Sequence, residues 1–205
     1  MEAVAHNYLP REDYLAGELI SFDRHEYIAG AVYAMSGGTM NHQTVGLNFT
    51  AEARNGLRGS SCRTTTSDQL LRVDLKHGEA FFYPDATIIC QEVAGDARYI
   101  ESPVVILEVL SKSTRRSDES VKLISYQQIP SLRVYLLAEQ DQPLVKIYRR
   151  EQAGAPFTVT VLRGIDQVLA LPEVSLEIPF SELYRDVTFE EPEPDGSVSV
   201  DPLSL

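Results

Sequence analysis

Apolar residues fall in short runs separated by polar turns, and the period of each run predicts its element. Val45, Phe49, Ala53 and Leu57 recur every fourth residue, which predicts a helix with one apolar stripe, capped by Asn41 and ended by Gly59. Pro10 followed by Glu12 and Asp13 predicts the first turn of a short helix. Glu26-Tyr27-Ile28 and Val32 to Met35 flank Ala29-Gly30-Ala31 as a hairpin does, and Gly37-Gly38 breaks it. Stretches 62–73 and 81–90 are rich in Thr and branched residues and predict strands around the polar turn 76–79. Pro103 opens a further strand, and a helix is expected from Ser117 to about Gln128, stopped by Ile129-Pro130. Strands are expected over 132–137, 144–148 and 157–162, with a short helix at 181–184 in a less regular stretch. This order predicts one α/β or α+β domain built around a mixed sheet.

Two charges interrupt this pattern. In Val104-Val105-Ile106-Leu107-Glu108-Val109-Leu110 apolar residues flank Glu108 at odd and even positions, so its strand is covered on both faces. A lone ionised carboxylate there costs several kcal/mol unless something pairs with it. Asp85, just after Pro84, belongs near a sheet end. If the two strands are neighbours, both acids converge on one hard cation such as Mg²⁺ or Mn²⁺, with the backbone carbonyl of Val109 as a natural third ligand. The plainer account gives Asp85 to backbone amides and Glu108 to an Arg or Lys. Asp118, Lys122 and Tyr126 share a helical face at i, i+4 and i+8. Lys122 either points at a reacting phosphate or forms a surface pair with Asp118.

Composition limits the partners. The 205 residues carry a net charge of −12. Six of those charges are acids of residues 186–205, a segment without Lys or Arg, which leaves −6 for the rest. Such an excess counts against tight, nonspecific gripping of phosphates. No apolar run reaches the roughly 20 residues of a membrane span, and the N-terminus does not read as a secretory signal, so a cytoplasmic protein is expected. Cys62 and Cys90 are then expected as reduced, partly buried thiols. The acidic, Pro-containing stretch 188–205 reads as a tail beyond a domain of residues 1–187.

Tyr83-Pro84-Asp85, then Glu108 to Thr114, then Asp118 with Lys122 and Tyr126, resemble the Uma2 family, itself similar to the PD-(D/E)XK nuclease superfamily. The resemblance reaches upstream to Glu26 to Gly30 and His42, and downstream to 129–135. It implies an α/β fold with a restriction-endonuclease-like core, a mixed β-sheet flanked by helices, and Mg²⁺ (or Mn²⁺) held by Asp85 and Glu108. The superfamily pattern places a Lys two residues after the Glu, where this chain has Leu110; Lys122 is the candidate replacement and Lys112 its rival. Glu26 either joins the metal shell or lies at a hairpin edge in solvent. His42 either holds a phosphate, orients Glu26, or bonds to backbone. Arg115 and Arg116 either grip phosphates or form a solvated loop pair, and Asp68 has no assigned role.

Together these features describe a metal-dependent endonuclease that hydrolyses phosphodiester bonds of nucleic acid, DNA foremost. Asp85, Glu108 and Lys122 are its catalytic set, His42, Asp118 and Tyr126 support it, and a homodimer is the expected assembly. The alternative is an inactive module of the same fold that binds a protein or nucleic-acid partner, favoured by the acid excess and Leu110.

Overall fold

The computed structural model describes residues 8–35 and 37–189. The acidic tail expected from 188 therefore lies almost wholly outside the described residues. Among them, thirteen strands form three sheets. Strands β1 (His25–Ile28), β2 (Ala31–Ala34), β4 (Leu70–Asp74), β5 (Glu79–Phe82) and β7 (Tyr99–Ile100) make a sheet of order β2-β1-β5-β4-β7. Strands β3 (Arg63–Thr66), β6 (Ala86–Ile89), β8 (Pro103–Leu110), β9 (Val134–Glu139), β10 (Leu144–Arg149) and β11 (Thr158–Arg163) make a second, of order β11-β10-β9-β8-β6-β3. β12 (Val168–Leu171) and β13 (Leu176–Pro179) form a small hairpin.

The long sheet has two buried faces. Against one lies α2 (Met40–Gly56), whose Val45, Phe49 and Ala53 pack with Val105, Leu107 and Val109 of β8. The β12–β13 hairpin and α5 (Phe180–Leu183) complete that layer. Against the other face lies the five-stranded sheet: Leu71, Val73, Ala80 and Phe82 meet Ile106, Leu110, Tyr135 and Leu137. Outside it, α1 (Arg11–Glu18) stacks Tyr14 on Tyr27 and Phe81. This is the mixed α/β architecture the sequence predicts.

Three local differences matter for the site. The predicted strands 62–73 and 81–90 each break in two, and each passes from one sheet to the other, at Ser67–Asp68 and at Tyr83-Pro84-Asp85. Each stretch is rich in Thr, aromatic or branched residues on both sides of its break, so sequence alone reads each as one strand. The cap of α2 is Thr39, not Asn41: the Thr39 hydroxyl accepts from His42 N–H at 3.2 Å, while Asn41 reaches Thr188. Cys62 and Cys90 are joined as a disulfide, not reduced. β3 and β6 pair antiparallel with Arg63 opposite Ile89, so the two cysteines face each other across the strands. Such bonds are uncommon in reducing compartments. Among the described residues no helix is long and apolar enough to cross a membrane.

Candidate active site

β8 and β9 lie parallel, and parallel neighbours need a crossover. Here it is one continuous helix: α3 (Arg115–Ser117), a π-helical turn (Asp118–Lys122) and α4 (Leu123–Tyr126). It starts near Arg115 rather than Ser117, and it folds back over the face of β8 that carries Ile106, Glu108 and Leu110. That return lets a lysine fourteen residues after Glu108 reach it.

Lys122 Nζ lies 3.0 Å from Glu108 Oε1, 3.0 Å from Glu26 Oε1 and 3.3 Å from Asp118 Oδ1. All four side chains are at most 5% exposed, so neither a surface Asp118–Lys122 pair nor a solvated Glu26 describes them. Glu26 reaches this group because β1 alternates: Tyr27 faces α1 while Glu26 faces the space between the sheets. Tyr126 donates its hydroxyl to Glu108 Oε1 at 2.8 Å, and the Tyr135 hydroxyl donates to the Asp118 carbonyl at 3.0 Å. The Phe82 ring lies 5.9 Å from the ammonium.

Asp85 precedes β6, which pairs antiparallel with β8. Its Oδ2 accepts the Val109 N–H at 2.7 Å and lies 3.3 Å from His42 Nε2. Val109 thus meets Asp85 through its amide. The His42 ring is seated against Gly38: a Cβ there would come within 2.7 Å of Nδ1 and push the imidazole from the aspartate. Leu110, at the superfamily's usual lysine position, is 2% exposed in the apolar layer between the sheets. Lys112 is exposed on the loop after β8. Arg115 is paired with Glu139 (2.7 Å) and Asp68 with Arg24.

Where the strands cross between sheets, a cleft of about 730 Å³ opens, and Asp85, Glu108, Lys122 and His42 line it. The structure therefore brings Asp85, Glu108, Lys122 and His42 together around one opening, with Glu26, Asp118 and Tyr126 directly behind it, while Val109 is not among the lining residues. The signals missed in sequence are the Val109 amide, the Tyr135 hydroxyl and Gly38; none has a spacing pattern that marks it.

Charge in this pocket is unbalanced. Three carboxylates surround one ammonium, and ion pairs this dry are costly unless compensated. Burial is the largest influence on Glu108 and, against the pull of Lys122, holds its pKa well above the ordinary value of 4.5. Burial likewise raises Asp85, over the opposing effects of His42 and the Val109 amide. For Lys122 burial lowers the pKa, but Glu108, Glu26 and Asp118 together outweigh it, so the ammonium stays charged. Burial and Glu108 also raise Tyr126, which remains a donor.

The donor set fits a hard divalent cation. Glu108 engages Lys122 and Tyr126 through Oε1 only, and Asp85 engages Val109 and His42 through Oδ2 only; the other oxygen of each has no hydrogen bond among the described residues. Among those residues no three His, Cys, Asp or Glu side chains form a ready-made cage. Mg²⁺ characteristically uses one or two carboxylates plus water and substrate phosphate, so two acids suffice.

Fold and cleft together define an α/β protein of the restriction-endonuclease-like class. Residues 11–181 match the family described as Uma2: Putative restriction endonuclease, and the chain belongs to that family. The uncharacterized protein slr1290 of Synechocystis is 28% identical over 182 residues, covering 88% of this chain and 94% of the relative. A second Synechocystis protein, the uncharacterized sll1609, is 28% identical over 145 residues, covering 69% and 81% respectively. The crystal structure of a putative nuclease belonging to DUF820 from Anabaena variabilis aligns with a TM-score of 0.62 at 16% identity, over 78% of this chain and 89% of that one. At that identity the likeness concerns the fold.

Proposed function

We propose that this protein is a metal-dependent endonuclease that hydrolyses phosphodiester bonds, with DNA as its first candidate substrate. The observation that carries this reading is the convergence of Asp85 and Glu108, each with an uncommitted oxygen, beside a buried, permanently charged Lys122. Asp85, Glu108 and the Val109 carbonyl would hold Mg²⁺ or Mn²⁺, which when bound supplies a Lewis acid and a more acidic water.

The protein's own groups have distinct tasks. Lys122 stays protonated, so it serves as a fixed positive charge beside the reacting phosphate and not as a general base. Glu26 and Asp118 hold that ammonium in place from behind, and Tyr126 fixes the orientation of the Glu108 carboxylate. The Val109 amide does the same for Asp85. His42, lining the cleft 3.3 Å from Asp85, would hold a phosphate oxygen. We further propose a homodimer as the assembly. The second reading, a non-catalytic module, draws on Lys122 being engaged by three carboxylates already.

The test is cleavage of a labelled DNA mixture with and without Mg²⁺, for wild type and Asp85→Asn. Expected is Mg²⁺-dependent cleavage that Asp85→Asn lowers by a factor on the order of a thousand, with unchanged circular dichroism. Undiminished cleavage by Asp85→Asn excludes this site.

A further inference from the structure

An open sheet ends in edge strands, whose outward N–H and C=O groups are a template for another strand. The two larger sheets end in β2, β3, β7 and β11. Proteins blunt such edges by shortness, charge, proline, a bulge or a cover. β7 is two residues long, and β2 and β3 are four each. β3 is also tied at its start, by the Cys62–Cys90 bond and by the Arg63 guanidinium donating to the Val93 carbonyl. β11 differs. It is six residues long, pairs with β10 at six unbroken positions, and its sequence Thr-Val-Thr-Val-Leu-Arg has neither proline nor acid. All of it but Leu162 is exposed, with Val159 at 54% and Val161 at 50%.

The pairing with β10 fixes which groups face outward. Gly164 N–H donates to the Pro143 carbonyl at 2.8 Å, so residues 158, 160 and 162 turn their main-chain polar groups toward β10. The same alternation sends the Arg150 N–H to the Arg133 carbonyl beside β9, at 3.0 Å, and the Arg149 carbonyl toward β11, where it accepts from the Thr158 hydroxyl at 3.1 Å. Val159, Val161 and Arg163 therefore turn their main-chain groups to the open edge. An antiparallel β11 with Val161 opposite its own mate, and Val159 opposite Arg163 on either side, engages all of them.

Charge selects a second copy as the occupant. The chain carries −12, so two copies repel across most of their surfaces. Between Glu151 and Asp166 it has no acid and one charge, Arg163. In the antiparallel register the two arginines lie four residues apart along the strands, about 13 Å, beyond the roughly 8 Å over which exposed charges interact in physiological salt. A peptide partner would instead be read by side-chain pockets beside the edge. Neither the cleft of Asp85 nor a second cavity, of about 640 Å³ at Lys76, Gln128 and Arg150, is lined by β11.

Building on the homodimer reading, we propose that two copies of this chain pair through β11, antiparallel about a two-fold axis at Val161, so that their six-stranded sheets join as one. The cleft of each copy stays open, because β11 does not line it.

The test is mass by light scattering on the full chain, at one protein concentration throughout. Wild type should have twice the 22.8 kDa of a single chain. Val161→Pro removes an outward N–H and no bond to β10, and Val161→Lys sets two ammonium groups opposite each other. Each should halve the mass and leave circular dichroism unchanged. Val161→Cys adds one free thiol to a chain whose two cysteines are already joined. Its mate would lie across the axis with Cα atoms about 5.5 Å apart, within disulfide reach, so added diamide should convert the chain to a covalent pair on a non-reducing gel. That variant decides the matter where the proline or lysine variant fails to fold. A wild type with the mass of one chain overturns this pairing and the homodimer together. A dimer that survives both Val161→Pro and Val161→Lys, a mass above two chains, or Val161→Cys chains that stay separate overturns the β11 pairing alone.

Discussion

Two clusters in this molecule each set one central cation among three carboxylates, although in the second Arg11 also reaches Glu79 at 3.5 Å. Lys122 sits among Glu26, Glu108 and Asp118, all at most 5% exposed. Arg72 sits among Asp74, Glu79 and Glu101, of which Asp74 is 79% and Glu101 52% exposed. Water screens the second cluster, so its excess acid charge costs little. Protein encloses the first, and there an unbalanced carboxylate must take up a proton or meet another cation. Similar groupings therefore carry different information: the solvated cluster decorates a sheet surface, while the enclosed one maintains an imbalance that structure alone does not require.

The sharpest way to break this contrast is Lys122→Met. Leaving three buried acids without their cation should cost about 3 to 5 kcal/mol in urea unfolding and remove cleavage activity. A loss below about 1 kcal/mol would mean that the cluster is wetter than its burial implies. Next in size is the response to pH. Because Asp85 and Glu108 are raised by burial, protons compete for them above the ordinary carboxylate range. Mn²⁺ affinity should rise as pH climbs from about 4.5, and level off once both are ionised. The metal-free protein should move the other way. A folded-state pKa above the unfolded value adds stability that is full at low pH and lost as pH rises through the raised value. Thermal melts across that window, with and without Mn²⁺, read both slopes. Smallest is Arg72→Met, which should cost about 1 kcal/mol or less and leave cleavage unchanged. A larger loss would erase the distinction between the clusters.

Much of this arrangement is legible in sequence, and the reasons differ by residue. Glu108 stands out because a charge in a doubly covered strand needs an explanation. Asp118, Lys122 and Tyr126 group by helical spacing, and the helix does present them together. The stripe from Val45 to Ala53 is buried as its period predicts. What escaped depends on register and crossover. Nothing local says that residues 62–73 and 81–90 each change sheets, yet those two breaks create the cleft. Nothing short of strand pairing sets Cys62 against Cys90. The β12–β13 hairpin was hidden because Val168-Leu169-Ala170-Leu171 is apolar throughout, although only Leu169 and Leu171 are buried.

The π turn over Asp118–Lys122 gives the helix one residue more than a regular winding would hold. Each residue advances an α-helix by about 100°, so tightening that turn to ordinary winding while the chain beyond stays docked would swing the 122 side chain off its seat behind the carboxylates. Evolution could thus dismantle or restore this cluster by a one-codon gain or loss, without touching any acid, and the length of that turn, beside the identity of the acids, is the trait to read when judging which related chains keep the lysine seated.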